Sequence, residues 1–437
     1  MRKMKDSGIE WVGNIPADWS VTRIKYILDP SEFGIKCGPF GSALTGKVVS
    51  DGEIVIYGQW NIVNSDFSIR RNTVSTKDAT SLESYNVQPD DVLVSMMGTI
   101  GRCAIVPEMI ATGIMDSHVI KIRLDTNQIL PQFFWYEYDK NNCNVVMEYF
   151  NRKKKGFIMD GLNTSIIKNA YLILPPIDEQ CRIVSFLNKK CFEFDKLISN
   201  VQAQIEKLKA YKQSLIAEVV TKGLDQTAPM KDSGVEWIGV TPAHWTIIPS
   251  KFLFANCDER RRESDVQLTA SQKYGMISQE DYMRRENARI VLADKGLENW
   301  KHVEPFDFVI SLRSFQGGLE MSEVTGCATW HYIVLRARRE IHPYYYKWLF
   351  KSSMYITALQ RTCNYIRDGQ DLRYSNFVKV PLCIPTLDEQ RKIADFLDKK
   401  CAQIDRLIAI KQAKIEKLDQ YKRSLIYEYV TGKREVS

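Results

Sequence analysis

Two stretches of this chain occur twice. Residues 4–19 read MKDSGIEWVGNIPADW and residues 230–245 read MKDSGVEWIGVTPAHW, with about 11 of 16 positions identical. Residues 175–221 and 385–431 match at about 27 of 47 positions. The segments between them, roughly 20–174 and 246–384, have no comparable identity. A duplicated frame around two divergent inserts restricts the fold to alternating constant and variable parts, with boundaries expected at 1–174, 175–223, 224–384 and 385–437.

The longer repeat is a helix by pattern. Leu187, Cys191, Phe194, Ile198, Val201, Ile205, Leu208 and Leu215 follow steps of three and four, with Lys212 in the one polar slot. The second copy runs Leu397, Cys401, Ile404, Ile408, Ile415, Leu418 and Leu425, with Lys422 in the place equivalent to Lys212. Proline and an Asp-Glu-Gln triplet mark each entry, and Gly223 and Gly432 mark the exits. Each rod is roughly 65 Å long at 1.5 Å per residue. A seam of that length needs a partner along it, and two equal rods separated by a globular segment pair most simply in antiparallel fashion. The two polar slots at matched places set the register or else face an acidic partner.

The variable segments read as mainly β. Short apolar runs at 53–57, 92–95, 119–123, 308–311 and 332–335 are separated by turn residues, and each segment closes on an aromatic helical stretch, 133–149 and 344–358. The expected fold class is α+β: two mixed-β domains with short helices, separated by two long helices that form an antiparallel coiled coil, under a pseudo-twofold internal repeat.

Catalytic motifs are absent. The chain has no phosphate-binding loop, dinucleotide fingerprint or nucleophile elbow. Pro175-Pro176 lacks the amide and aromatic neighbours of an amino-methyltransferase motif. His118, His244, His302, His331 and His342 stand apart from cysteine or carboxylate clusters at metal spacing, so no metal and no catalytic residue is expected. Ten scattered cysteines read as reduced thiols; the first residues lead into no apolar stretch and no long apolar run occurs, so neither secretion nor membrane spanning is expected. A cytoplasmic protein without membrane contact is expected.

The positive signal is a mixture of basic, aromatic and amide residues in the variable segments, the types that neutralise phosphates and pair with base edges. Candidate DNA contacts in the first are Lys36, Ser42, Lys47, Gln59, Asn61, Arg102, Arg152, Lys153, Lys154 and Lys155. In the second they are Arg260, Arg261, Arg262, Gln272, Lys273, Tyr274, Arg284, Arg285, Arg313, Ser314, Gln316, Arg367 and Arg373. The net charge of +7 is weak as a chain average and becomes informative only when concentrated on two domains.

The order of these parts resembles the specificity subunit of type I restriction-modification systems. The strings that carry the likeness are GPFGSAL (38–44), PDDVLVSMMGTIGRCAIV (89–106), LPPIDEQCRIVSFL (174–187), TASQKYGMI (269–277), PFDFVISLRSFQGGLEMS (305–322) and IPTLDEQRKIADFLDKK (384–400). Departures are Thr386 for the second proline and Phe306 where glycine usually precedes the aspartate. The resemblance implies a non-catalytic, prokaryotic subunit with two target recognition domains. Each would read one half of a bipartite site in double-stranded DNA, with the rod setting the unread spacer. It also implies two docked modification subunits carrying S-adenosylmethionine, and motor-nuclease subunits that join them. A coiled-coil assembly scaffold, or a partner of another restriction class, stays open as an alternative.

Overall fold

The computed structural model describes residues 2–31, 34–40, 43–44, 46–143, 145–154, 162–293, 295–312, 314–363 and 372–436. They fall into two units, residues 1–201 with 413–437 and residues 202–412. This division differs from the boundaries expected at 175, 224 and 385. Each long helix gives its two ends to different units, so a helix is not a domain by itself.

In the first unit the β-branched runs pair into an antiparallel sheet in the order Ile35–Cys37, Val119–Ile122, Val92–Ser95, Cys103–Ile105. A second sheet holds Gly113–Met115, Ile54–Tyr57, Thr73–Val74 and Val48–Val49. The second unit repeats the first of these sheets as Phe254–Cys257, Ile333–Ala337, Phe308–Ile310 and Glu320–Met321. In place of the other it carries the hairpin Leu268–Ser271/Gly275–Ser278 and the pair Lys301–Val303/Gly326–Ala328.

A buried clamp underlies the shared sheet in both units. Arg123 donates to both carboxylate oxygens of Asp91 at 2.8 and 3.0 Å, and Arg336 does the same to Asp307 at 2.9 and 2.7 Å. Each aspartate also accepts a backbone N–H three residues upstream, from Gln88 at 2.8 Å and from Glu304 at 2.9 Å. The residue before each aspartate turns through positive φ, 65° at Asp90 and 73° at Phe306. That geometry is why glycine suits the position and why Phe306 is unusual there.

The expected aromatic helices are each split in two. Pro131–Tyr138 is followed by Val145–Lys154, and Pro343–Lys351 by Ser353–Arg361. Asp139 ends the first by accepting from Arg102 Nε and Cys103 N–H, and Ser352 caps the helix that follows the other.

The long helices are Ile177–Lys222 and Leu387–Val430. Within the first unit Phe186 meets Tyr429, Phe194 meets Tyr421, and Lys422 binds Asp195 at 2.6 Å. Within the second, Lys212 binds both carboxylate oxygens of Asp405 at 2.8 and 2.7 Å, and Lys411 donates to Gln204. One number rises as the other falls, so the pairing is antiparallel. Every seam residue of the heptad reading is buried or half-buried. Lys411 also occupies the seam, at the place where the first copy has Val201. Lys212 and Lys422 are thus each tied to an aspartate of the opposite helix, and Lys411 to a glutamine.

The Asp-Glu-Gln triplets attach these helices to their units. Glu179 accepts from Trp19 Nε1 at 2.8 Å, and Glu389 from Trp245 Nε1 at 3.1 Å. Gln180 accepts the Leu130 N–H at 2.9 Å and Gln390 the His342 N–H at 2.8 Å, each the residue that opens an aromatic helix. The shorter repeat, which supplies the tryptophans, is therefore coupled to the longer one.

Glu137 is fully buried and accepts the Ile173 N–H, while its second oxygen has no partner among the described residues. Burial pushes its carboxyl well above the usual range, so the folded state favours the neutral acid. The stability this brings is present below the ordinary carboxylate pKa and is lost as pH rises through the folded value. Glu137→Gln keeps the acceptor without an ionisable proton. Its melting temperature should exceed that of the parent by several degrees at pH 8, and the gap should close by pH 5; a pH-independent difference in thermal unfolding would contradict this account.

Candidate nucleic-acid interface

In the first unit the loops at 38–40, 58–60, 96–99 and 116–118 converge. Gly38 donates its N–H to Val119 O at 2.8 Å, Asp116 to Tyr57 O at 2.9 Å, and Met96 to His118 O at 3.1 Å. A Cβ at Gly38 would stand 1.9 Å from the Asp116 carbonyl oxygen, so only glycine lets these loops approach. Gln59 Nε2 donates to Met97 O at 3.0 Å across the junction. Phe40 is 72% and Trp60 48% exposed at its rim. The Arg71 guanidinium lies 3.6 Å from the Trp60 ring centre. Lys36, on its strand, has its ammonium 4.5 Å from the Tyr85 ring. Its cross-strand neighbour Lys121 is buried, and desolvation pushes that amine down to about 8 against the pull of Asp91.

The second unit builds a comparable junction from other side chains. The turn between strands Leu268–Ser271 and Gly275–Ser278 carries Gln272, Lys273 and Tyr274. Gln272 lies against Gly317, where a Cβ would stand 2.2 Å from its Nε2, so the turn packs on the short helix Ser314–Gly317 that carries the exposed Gln316. Lys273 Nζ and Tyr274 OH both donate to Glu286 Oε1, at 2.9 and 2.8 Å, which holds that carboxyl below its usual range. Arg285 lies 5.0 Å from the Tyr274 ring. In both units, then, a glutamine from an inserted element meets the loop that leaves the third strand of the shared sheet.

Other sequence candidates lie elsewhere or are spent internally. Asn61 is buried, accepts the Gly58 N–H at 2.9 Å and donates to Asp66 O and Ile69 O at 3.0 and 2.9 Å. Ser314 is buried and accepts from Ser311 N–H at 2.9 Å. Arg102 is held by Asp139 and Val63 O at 3.0 and 3.2 Å. These three shape the loops instead of pointing outward; residue type alone had suggested contact. Arg152 joins Glu10 and Glu148 beside Trp11, away from the junction, and Lys47 donates to Ser81 Oγ at 3.2 Å. Arg284 pairs with Asp281, while Arg373 stays exposed at the start of the helix Tyr374–Phe377. Ser42, Lys155, Arg313 and Arg367, with the side chains of Lys153 and Lys154, lie outside the described residues.

His302 corrects the reading of isolated histidines. Its Nδ1 stands 2.8 Å from Asp265 and its Nε2 3.4 Å from Glu304, with Glu259 beside them. Asp265 and Glu259 are distant in sequence, which hid the cluster. Its carboxylates are already met by guanidinium: Arg262 binds Glu259 at 2.6 Å and Glu304 at 3.3 Å, and Arg336 adds contacts to both at 3.5 and 3.6 Å. Arg260 donates to Asn299 O at 2.8 Å beside this cluster, and Arg261 donates its N–H to Trp300 O at 2.9 Å.

Residues 41–210 match the family model described as type I restriction modification DNA specificity domain. The protein assigned as the MjaX type I restriction enzyme specificity subunit of Methanocaldococcus jannaschii is 22% identical over 97% of this chain and 96% of its own length. The EcoBI specificity subunit of Escherichia coli is 27% identical over 47% of this chain and 41% of its own. A solved structure from work on complex assembly and conformational transition of the type I R-M system covers 96% of this chain and 99% of its own at TM-score 0.67 and 14% identity, a likeness of fold. Residues 41–210 thus carry a type I restriction modification DNA specificity domain. Over nearly its full length the chain is similar to a type I restriction enzyme specificity subunit. Among the described residues, no helix is long and apolar enough to cross a membrane.

Proposed function

We propose that this chain is the non-catalytic reader of a bipartite site in double-stranded DNA. The junction around Gln59 and Trp60 reads one half, and the junction around Gln272, Lys273 and Tyr274 reads the other. The observation that carries this reading is that two units sharing one four-stranded sheet present different polar and aromatic side chains at the loop that leaves its third strand. Such an arrangement suits two half-sites of different sequence, whereas a symmetric dimer suits a palindrome. Glutamine and lysine are suited to paired contacts with adenine and guanine edges, and exposed aromatic rings to thymine methyls or stacking.

The paired helices set the unread spacer and dock two modification subunits, which bring S-adenosylmethionine and the adenine-methylating centre; motor-nuclease subunits join for restriction. The docking part is supported by the exposed pairs Leu197 with Tyr421 in one unit and Leu407 with Tyr211 in the other. They occupy equivalent positions of the two repeats and stay largely exposed, although the Tyr421 ring also meets Phe194. Work in the prokaryotic cytoplasm follows from that role.

The test is a binding and methylation survey of the full chain with its modification subunits over a library of split sites. Gln59→Ala with Trp60→Ala should weaken discrimination about 10- to 100-fold at bases of one half-site only. Gln272→Ala with Tyr274→Ala should do so at the other half only. Loss spread equally over both halves in either variant would contradict the assignment.

A further inference from the structure

A lysine–aromatic pair stands at the same exposed place in both units, outside the reading junctions and the helices. Lys25-Tyr26 lies in the single turn Ile24–Tyr26, and Lys251-Phe252 in the turn Ser250–Phe252. Both turns are pinned to the same point of the fold: Ile24 donates its N–H to Ala170 O at 3.1 Å, and Ser250 Oγ donates to Val380 O. The residues on either side are buried, Ile24 and Ile27 in one unit, Ser250 and Leu253 in the other. Yet Tyr26 is 63% and Phe252 51% exposed, and each ring has its neighbour's ammonium near it, at 4.6 and 5.1 Å. Single exposed rings are ordinary on protein surfaces. The same ring beside the same lysine, on turns whose other residues have diverged, is not accounted for by folding.

We infer that these two knobs are docking points for the two modification subunits, one copy on each, which rests on the reading of the chain as a specificity subunit. Two equivalent knobs in one chain call for a partner present in two equal copies. DNA is also contacted twice, but the surroundings disfavour it. The carbonyl that closes each turn accepts from Asp125 N–H in the first unit, at 2.9 Å, and from Arg338 N–H in the second, at 2.8 Å. Lys25 and Lys251 are cations in both units, but an aspartate stands next to the turn in one unit where an arginine stands in the other, and a surface that follows phosphates would not set a carboxylate there. The retained chemistry is an apolar ring with an adjacent ammonium; the phenolic hydroxyl is dispensable, since Phe252 lacks it. The complementary surface on the modification subunit is an apolar slot with a carboxylate at its rim.

The experiment titrates the full chain with the modification subunit of its own source organism, measuring affinity and number of copies by calorimetry and ultracentrifugation. Tyr26→Ser should weaken one of the two copies about tenfold or more, Phe252→Ser the other, and the double variant both. Lys25→Glu and Lys251→Glu, changes at exposed positions that spare the buried residues of the turns, should act in the same direction. Unchanged affinity for both copies in the double ring variant and in the double charge variant would overturn the inference while leaving the specificity-subunit reading intact. Intact assembly with weakened DNA binding by the assembled complex would also overturn it and give the knobs to DNA. If the parent chain takes up no modification subunit, the underlying reading falls as well.

Discussion

Replacing Arg123 by methionine should destabilise the first unit by about 3–5 kcal/mol, because Asp91, with no exposed side-chain surface, is left buried without its cation. The loss comes from the orphaned carboxylate and not from the guanidinium as such. Replacing both partners, Arg123→Met with Asp91→Val, should therefore recover much of it, to within roughly 1–2 kcal/mol of the parent, the residue reflecting the unpaired Gln88 N–H. Arg336→Met and Arg336→Met with Asp307→Val should behave the same way in the second unit. Urea unfolding of the full chain, followed by a probe in each unit, checks the four variants. Equal loss in single and double variants would show that shape and backbone bonds, not charge, hold the sheet to its preceding turn.

Removing one heptad from each long helix should change what the protein selects without changing what it reads. Residues 201–207 and the facing residues 409–415 can be deleted together with the seam period intact. The deletion spares the ties Lys212–Asp405 and Lys422–Asp195. Each helix then loses about 10 Å. At about 3.4 Å per base pair the unread gap should shorten by about three base pairs, with both half-sites unaltered. A methylation map of DNA modified by the assembled complex measures this directly, and an unchanged gap would remove the helices as the ruler.

Much of the frame was legible because its signals are local and periodic. The seam follows steps of three and four over its whole length, and its residues are those that the structure buries or half-buries. The β runs at 92–95 and 119–123 were placed to within a residue for the same reason: alternation and turn residues bound them. What could not be seen depends on pairing at a distance. Asp91 and Arg123 are separated by four strands and the turns between them, and nothing near either marks it as half of a clamp; the recurrence of Pro-x-Asp in both halves was the available hint. Residue type also overstated the reading surface. Asn61 and Ser314 fit a list of amide and hydroxyl readers, yet loop closure consumes them, and Arg152 and Arg262 are drawn to nearby carboxylates. Trp60 with Arg71, a stacked pair on the rim, needed the fold to bring residue 71 back beside residue 60.

Gln180 holds its unit through the Leu130 N–H and the Gln128 carbonyl, and Gln390 through the His342 N–H. These grips touch main chain only. A variable segment of any composition presents the same N–H at the head of its aromatic helix, so this grip carries over from one insert to another. The repeat thus works as a socket whose main-chain contacts are generic, and only the side-chain bonds Tyr136–Asn188 and Trp348–Asp398 would have to be matched when an insert is exchanged.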